Sequence, residues 1–205
     1  DGPDAKVRAA LISALPATEK KEFLKQIRAA LGDSDPDVRI AAIWSLAEYG
    51  DTRSLNQAAD MLRDPVVRVR TEAARALGTY GSDAKLKMFT DILADENEVE
   101  PVKLAAITGL GASQSKKAID VLVETVTEQE ALEQPIISAL SGKTSKPELT
   151  HLIEQMKDAS PKLRDNLTEV FKQMGENGEG AMRELLEEDI ASLRQYLNEI
   201  LESTG

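Results

Sequence analysis

Apolar residues recur along this chain at a fixed long period. Val7, Val38, Val69, Val102, Leu132 and Leu163 are spaced 31, 31, 33, 30 and 31 residues apart, and eight positions after each stands Leu15, Leu46, Leu77, Leu110, Leu140 or Phe171. A second set repeats in the same register: Leu24, Leu55, Leu86, Ile119 and Leu149, then Leu31, Leu62, Leu93, Val126 and Met156. Within the first segment of a repeat, apolar or small residues fall at offsets 0, 4, 7 and 8 (Val38, Ala42, Ser45, Leu46; Val69, Ala73, Ala76, Leu77), which places them on one face of a 3.6-residue helix. Leu86, Phe89 and Leu93 do the same in the second segment. Strict alternation, the mark of a half-buried strand, is sustained nowhere. Each repeat therefore reads as a helix pair that buries its apolar face only against its neighbours.

The punctuation agrees. Asp33, Asp64 and Asp158 stand five residues before the column residue, where a short acceptor caps free N–H groups, and Pro36 and Pro65 occupy early positions that tolerate a missing donor. Gly50, Gly81 and Gly175 are expected to close helices in the left-handed conformation. About six units are expected over residues 4–174. Beyond them, residues 176–180 (ENGEG) read as a flexible acidic loop, and Met182, Leu185, Leu186, Leu193, Leu197 and Leu201 form helical stripes suited to capping helices over 181–202. Pro135 lies three positions past its column residue, where it would break a helix. The fifth unit is therefore expected to start this helix late, keep it short, and loosen around residues 127–147.

The run Asp33, Val38, Arg39, Ala42, Leu46, followed by Gly50, resembles the HEAT repeat. The short unit is similar to the HEAT-like variety of phycobilisome bilin lyases and of many bacterial scaffold proteins. The resemblance covers roughly residues 4–174; it is strong in the units starting at Asp33 and Asp64, fair in the first and fourth, and weak in the last two. It implies an all-α, right-handed α-solenoid, or superhelix, with an outer, convex A helix before each Asp and an inner, concave B helix after it. It also implies that the column Arg8, Arg39, Arg70, Lys103 and Arg164 is one half of a ladder whose other half includes Asp33 and Asp64. The family spans adaptors, nucleic-acid binders and a few enzymes, so it points to a fold rather than an activity.

Composition narrows the choice. Of 205 residues, 41% are hydrophobic but only 3% aromatic, so Ala, Leu, Ile and Val carry the packing. With 36 acidic against 25 basic residues the net charge is −11, which opposes binding to phosphate backbones despite the Arg column, and no nucleic-acid partner is expected. There is no uninterrupted apolar run long enough to span a bilayer. The absence of cysteine excludes disulfides, thiolate metal sites and a Cys nucleophile, and fits any redox compartment. Beginning at Asp1 with a B-type helix, the sequence reads as an excised or processed piece of a longer protein.

Candidate chemistry is sparse. Asp33, Asp35 and Asp37 have the opening of a Ca²⁺-binding EF-hand loop, but Val38 and Trp44 stand where that loop needs Gly and Glu, so capping is the preferred account. Gly142, Lys143 and Thr144 resemble the end of a phosphate loop, with Ile137 where a Gly belongs and no strand before it. His151 is the sole histidine, and Asn166 opens a glycosylation sequon whose Leu167 lies in the core column. No catalytic, metal or cofactor site is assigned.

The concave face is more informative. At offset 6 of the B helices the residues are Ser13, Trp44, Arg75, Thr108, Ser138 and Glu169, and at offset 2 they are Ala9, Ile40, Thr71, Leu104, Gln134 and Asp165. Trp44, the only tryptophan, thus occupies a position that is polar in every other unit and is expected to be exposed. Ile40, Trp44, Thr71, Arg75, Leu104 and Thr108 are the expected protein-binding residues of a non-catalytic scaffold holding a protein or peptide. The runner-up is a subunit of a bilin (tetrapyrrole) lyase, and behind it stands a nucleic-acid-binding HEAT-like protein.

Overall fold

The computed structural model describes residues 4–18, 21–80 and 86–187, and of the remainder 194, 198 and 200–202. Every element among them is helical: α1 (Ala5–Ala14), α2 (Leu24–Ala30), α3 (Pro36–Tyr49), α4 (Thr52–Asp60), α5 (Val67–Tyr80), α6 (Leu86–Ala94), α7 (Glu100–Ala112), α8 (Lys116–Glu128), α9 (Glu133–Ser141), α10 (Lys146–Gln155) and α11 (Pro161–Glu187), with short 3₁₀ turns between. Helices α2, α4, α6, α8 and α10 are the A helices, and α1, α3, α5, α7, α9 and the first part of α11 are the B helices. The fold is all-α, a HEAT-like α-solenoid. The chain falls into two compact units, Asp1–Gly109 and Leu110–Gly205.

In the first unit most of the sequence columns lie in the core, Leu15 and Leu31 being half-buried. Val38, Val69 and Val102 are at most 1% exposed, as are Leu46, Leu77, Ala42, Ala73 and Ala106. Leu24, Leu55 and Leu86 of the A helices are buried over them, and each such side chain contributes about 1.5–3 kcal/mol relative to exposure. The small residues have a geometric purpose. A Cβ on Gly78 would come within 2.3 Å of Gly109 Cα, so α5 and α7 meet backbone to backbone at this pair. Val7 departs from its column, being 49% exposed: α1 is the first helix among the described residues, and none of them lies over that side.

The second unit buries Ile119, Leu122, Val126, Leu140, Leu149, Met156 and Phe171 to the same degree, while Leu163 is only half-buried. Helix α9 starts at Glu133, after Leu132, whereas α3, α5 and α7 start two residues before their column valines. Pro135 is thereby the third residue of its helix, where no N–H is required, and α9 has 9 residues against 14 in α3 and α5.

Two sequence expectations are corrected. Residues 176–180 are helical rather than a loop. Gly175, at φ 58° and ψ −148°, turns the chain within a single residue, and the next helical segment begins at once. Gly178 is there for close approach, since a Cβ would sit 2.4 Å from Met174 Cβ. Second, Asp33 and Asp64 do not cap helices. The N-cap of α3 is Asp35, which accepts from Asp37 N–H, while Asp33 and Asp64 accept from the N–H two residues on and organise the preceding turn. At α11 the capping acceptor is Ser160 Oγ, bonded to Leu163 N–H at 3.3 Å, in place of Asp158. Gly50 closes α3 at φ 66° as expected. Gly81 lies outside the described residues, as do the side chains of Leu185, Leu186, Leu193 and Leu197. Met182 and Ile200 from the same region are buried.

Candidate functional site

The Arg column is a ladder at Arg8, Arg39 and Arg70, whereas Arg164 donates to the Met156 carbonyl. Arg8 forks onto Asp33 at 2.8 and 2.9 Å, Arg39 onto Asp64 at 2.8 and 2.9 Å, and Arg70 onto Glu98 at 2.8 and 3.0 Å. Arg39 also donates to the carbonyls of Asp33 and Ser34, and Arg70 to those of Asp64 and Pro65. One guanidinium thus ties its own turn to the next. The Arg8 fork and the Asp35 N–H lower the Asp33 carboxyl to about 2. Burial pushes Asp64 and Glu98 up, but the Arg39 and Arg70 forks and backbone N–H donors outweigh it, and both carboxyls lie below their ordinary values. These arginines are committed to carboxylates and do not form a stripe for phosphates.

The other motifs resolve as structure. Lys143 is 2% exposed; its ammonium donates to the Ser113 carbonyl and lies 3.4 Å from Glu148 Oε1, so it faces the protein rather than a phosphate. Burial pushes this ammonium down, opposed in part by Glu148. Asp37 pairs with Arg68 at 2.5 Å, which leaves the three aspartates of that turn divided between capping and ion pairs. His151 Nε2 meets Asp120 Oδ1 at 2.6 Å on the A-helix side, with Gln155 on the same oxygen at 3.0 Å. Among the described residues no group of three or more His, Asp or Glu is placed to hold a metal ion, and no helix is long and apolar enough to cross a membrane. Asn166 is buried, which closes its sequon to a glycan.

On the B-helix face, Thr71, Arg75, Leu104 and Thr108 line one open cleft of about 390 Å³ between α5 and α7, together with Glu100, Pro101 and Ala105. Thr71 and Thr108 donate their hydroxyls to the carbonyls of Val67 and Leu104 four residues back, leaving methyl groups for the surface. Ile40 and Trp44 stand one repeat earlier, on α3, outside the residues that line this cleft. Trp44 is half-buried instead of exposed. Its Nε1 donates to Glu72 Oε2 at 3.1 Å, and its ring meets Tyr80 edge to face at 6.3 Å and 81°. Glu72 also lies 3.7 Å from Arg75. Glu72 and Tyr80 were not legible as part of this face: Glu72 resembles any solvated helix acid, and only the repeated Tyr-Gly at 49–50 and 80–81 sets Tyr80 apart.

The HEAT-repeat profile matches residues 1–73 and 58–141. The chain belongs to the HEAT-repeat family. No curated protein matches it. Among solved structures it is similar to the complex of CpcE and CpcF of phycocyanin lyase from Nostoc sp., at 14% identity and TM-score 0.51, covering 100% of this chain and 91% of that one. Human deoxyhypusine hydroxylase matches at 17% identity and TM-score 0.35, over 100% of this chain and 81% of that one. At such identities the likeness is one of fold.

Proposed function

We propose that this chain is a non-catalytic protein-interaction scaffold that holds a protein or peptide on its B-helix face, the concave face of a HEAT array, through Ile40, Trp44, Thr71, Arg75, Leu104 and Thr108. The observation that supports this most is the α5–α7 cleft, because four residues chosen by repeat register alone line it together. Its chemistry is that of a docking surface: an apolar lining from Leu104 and Pro101, threonine methyls, and a mostly exposed guanidinium at Arg75. Trp44, clasped by Glu72 and Tyr80, holds the adjoining surface in shape and offers only part of its ring. The bilin lyase reading has the likeness of fold behind it.

Photo-crosslinking from single positions tests the proposal. A benzophenone amino acid at Thr108 should give a discrete crosslinked product in extract of the native source, and one at Lys87 on the exposed side of α6 should not. Equal products from both positions, or a product from Lys87 alone, would move the binding surface to the A helices.

A further inference from the structure

The cleft is dipolar, and its two charges stand on opposite walls. Glu100 opens the α7 wall and Arg75 closes the α5 wall. The Gly78–Gly109 contact fixes how the two helices are levelled. As equivalents in consecutive repeats they run parallel, so Arg75, three residues before Gly78, stands level with Ala106. Glu100 is six residues earlier, which is about 9 Å along the axis at 1.5 Å per residue. Leu104 lies between them, about 6 Å from Glu100 on the same wall.

Arg75 is available for a partner. The ladder arginines each grip a carboxylate with two bonds of 3.0 Å or less, whereas Arg75 has a side chain 58% exposed and touches Glu72 only at 3.7 Å. Parallel helices whose axes are about 8–10 Å apart leave a furrow too narrow for a third helix of about 10–12 Å diameter to sink into. An extended strand fits, with about 3.3 Å per residue and alternating side chains. On that ruler two residues reach from Glu100 to Leu104 on one wall, and three reach from Glu100 to Arg75 on the other. The odd number is what opposite walls require.

Resting on the proposed docking role, we infer that the α5–α7 cleft takes an extended peptide with a basic residue at i, an apolar residue at i+2 and an acidic residue at i+3, or the same order read in reverse. The basic side chain meets Glu100, the apolar one packs on Leu104, and the acidic one takes the Arg75 guanidinium as a charge-assisted pair. Partner choice is then set by charge spacing and not by net charge.

The test uses acetylated, amidated Gly/Ser decapeptides carrying one Lys, one Leu and one Asp, with the Lys–Asp separation varied from one to six residues. Retention on the immobilised full chain at low salt should peak at a separation of three with Leu beside Asp, about threefold or more above the other spacings, the scale of two exposed ion pairs. Arg75→Glu should abolish that preference. The double variant Arg75→Glu/Glu100→Arg should restore it for peptides with Lys and Asp exchanged. Flat retention across spacings, a maximum at another separation, or a preference that survives Arg75→Glu would overturn the inference. The docking role falls separately, on a Thr108 crosslink that fails to form or is matched from Lys87.

Discussion

Glycine has opposite uses at different positions of this chain, and substitution separates them. At Gly78 a methyl group would meet the Gly109 backbone at 2.3 Å, with nothing flexible to yield. Gly78→Ala is therefore expected to cost about 1–3 kcal/mol of stability by overpacking, even though alanine is the better helix former. Gly180 is helical with nothing within 4 Å of its would-be Cβ, and Gly180→Ala should stabilise by about 0.5–1 kcal/mol. Urea unfolding of the two variants checks both signs. At Trp44 the informative change is to Phe, which keeps a ring against Tyr80 and removes the bond to Glu72 along with part of the ring area. It should cost about 1 kcal/mol, with Glu72→Gln costing no more than that. A fully exposed Trp44 would make both substitutions silent. That exposure was the sequence expectation, and repeat register could not correct it: register shows which positions face away from the core, but not that Glu72 and Tyr80 of the next unit reach back across one of them.

The Arg ladder is the feature by which one helix pair recognises the next, and its acid response follows from its carboxyls. Asp33, Asp64 and Glu98 are all held below their ordinary values in the folded chain. A depressed folded-state value means that the ladder's contribution is complete above the unfolded values near about pH 4 and is lost as pH falls from there toward about 2. Thermal unfolding midpoints should thus be insensitive to these groups above about pH 5 and drop below about pH 4, with a shallower drop in Asp64→Asn. Arg39→Ala leaves Asp64 buried without its fork and should cost about 3 kcal/mol or more, whereas Arg68→Ala, from an exposed pair with Asp37, should stay within about 1 kcal/mol. The first two rungs were legible through the resemblance to the HEAT repeat, with Asp33 and Asp64 as the partners it implies for the Arg column. Glu98 was not, because the third interval runs 33 residues instead of 31, and the acid at the expected distance from Arg70 is Asp95. The late start of α9 was legible because proline constrains its own backbone directly. Amide exchange should accordingly be faster across residues 130–142 than in α3 or α5.

For the molecule as a whole, the sequence carried the fold because each repeat poses the same burial problem, and repetition multiplies a weak signal; Val38, Val69 and Val102 are interchangeable solutions to it. The helical stretch 176–180 shows the limit, since Gly and Glu spoke for a loop while the turn was made by Gly175 alone. Partner identity is not encoded this way. The columns that repeat are the ones that pack, and the proposed docking face draws on residues that do not repeat, Trp44, Arg75 and Leu104 among them. The proposed function requires that the B-helix face binds. The measurement that tests it most directly is the affinity of the double variant Ile40→Asp/Leu104→Asp for the partner captured from Thr108, read by calorimetry beside a thermal melt. Both side chains are half-buried on the B-helix face, and the expected result is a loss of at least about 2 kcal/mol in binding, the scale of an interface hot spot, with the cooperative melt retained. Unchanged affinity with a retained melt would contradict the account.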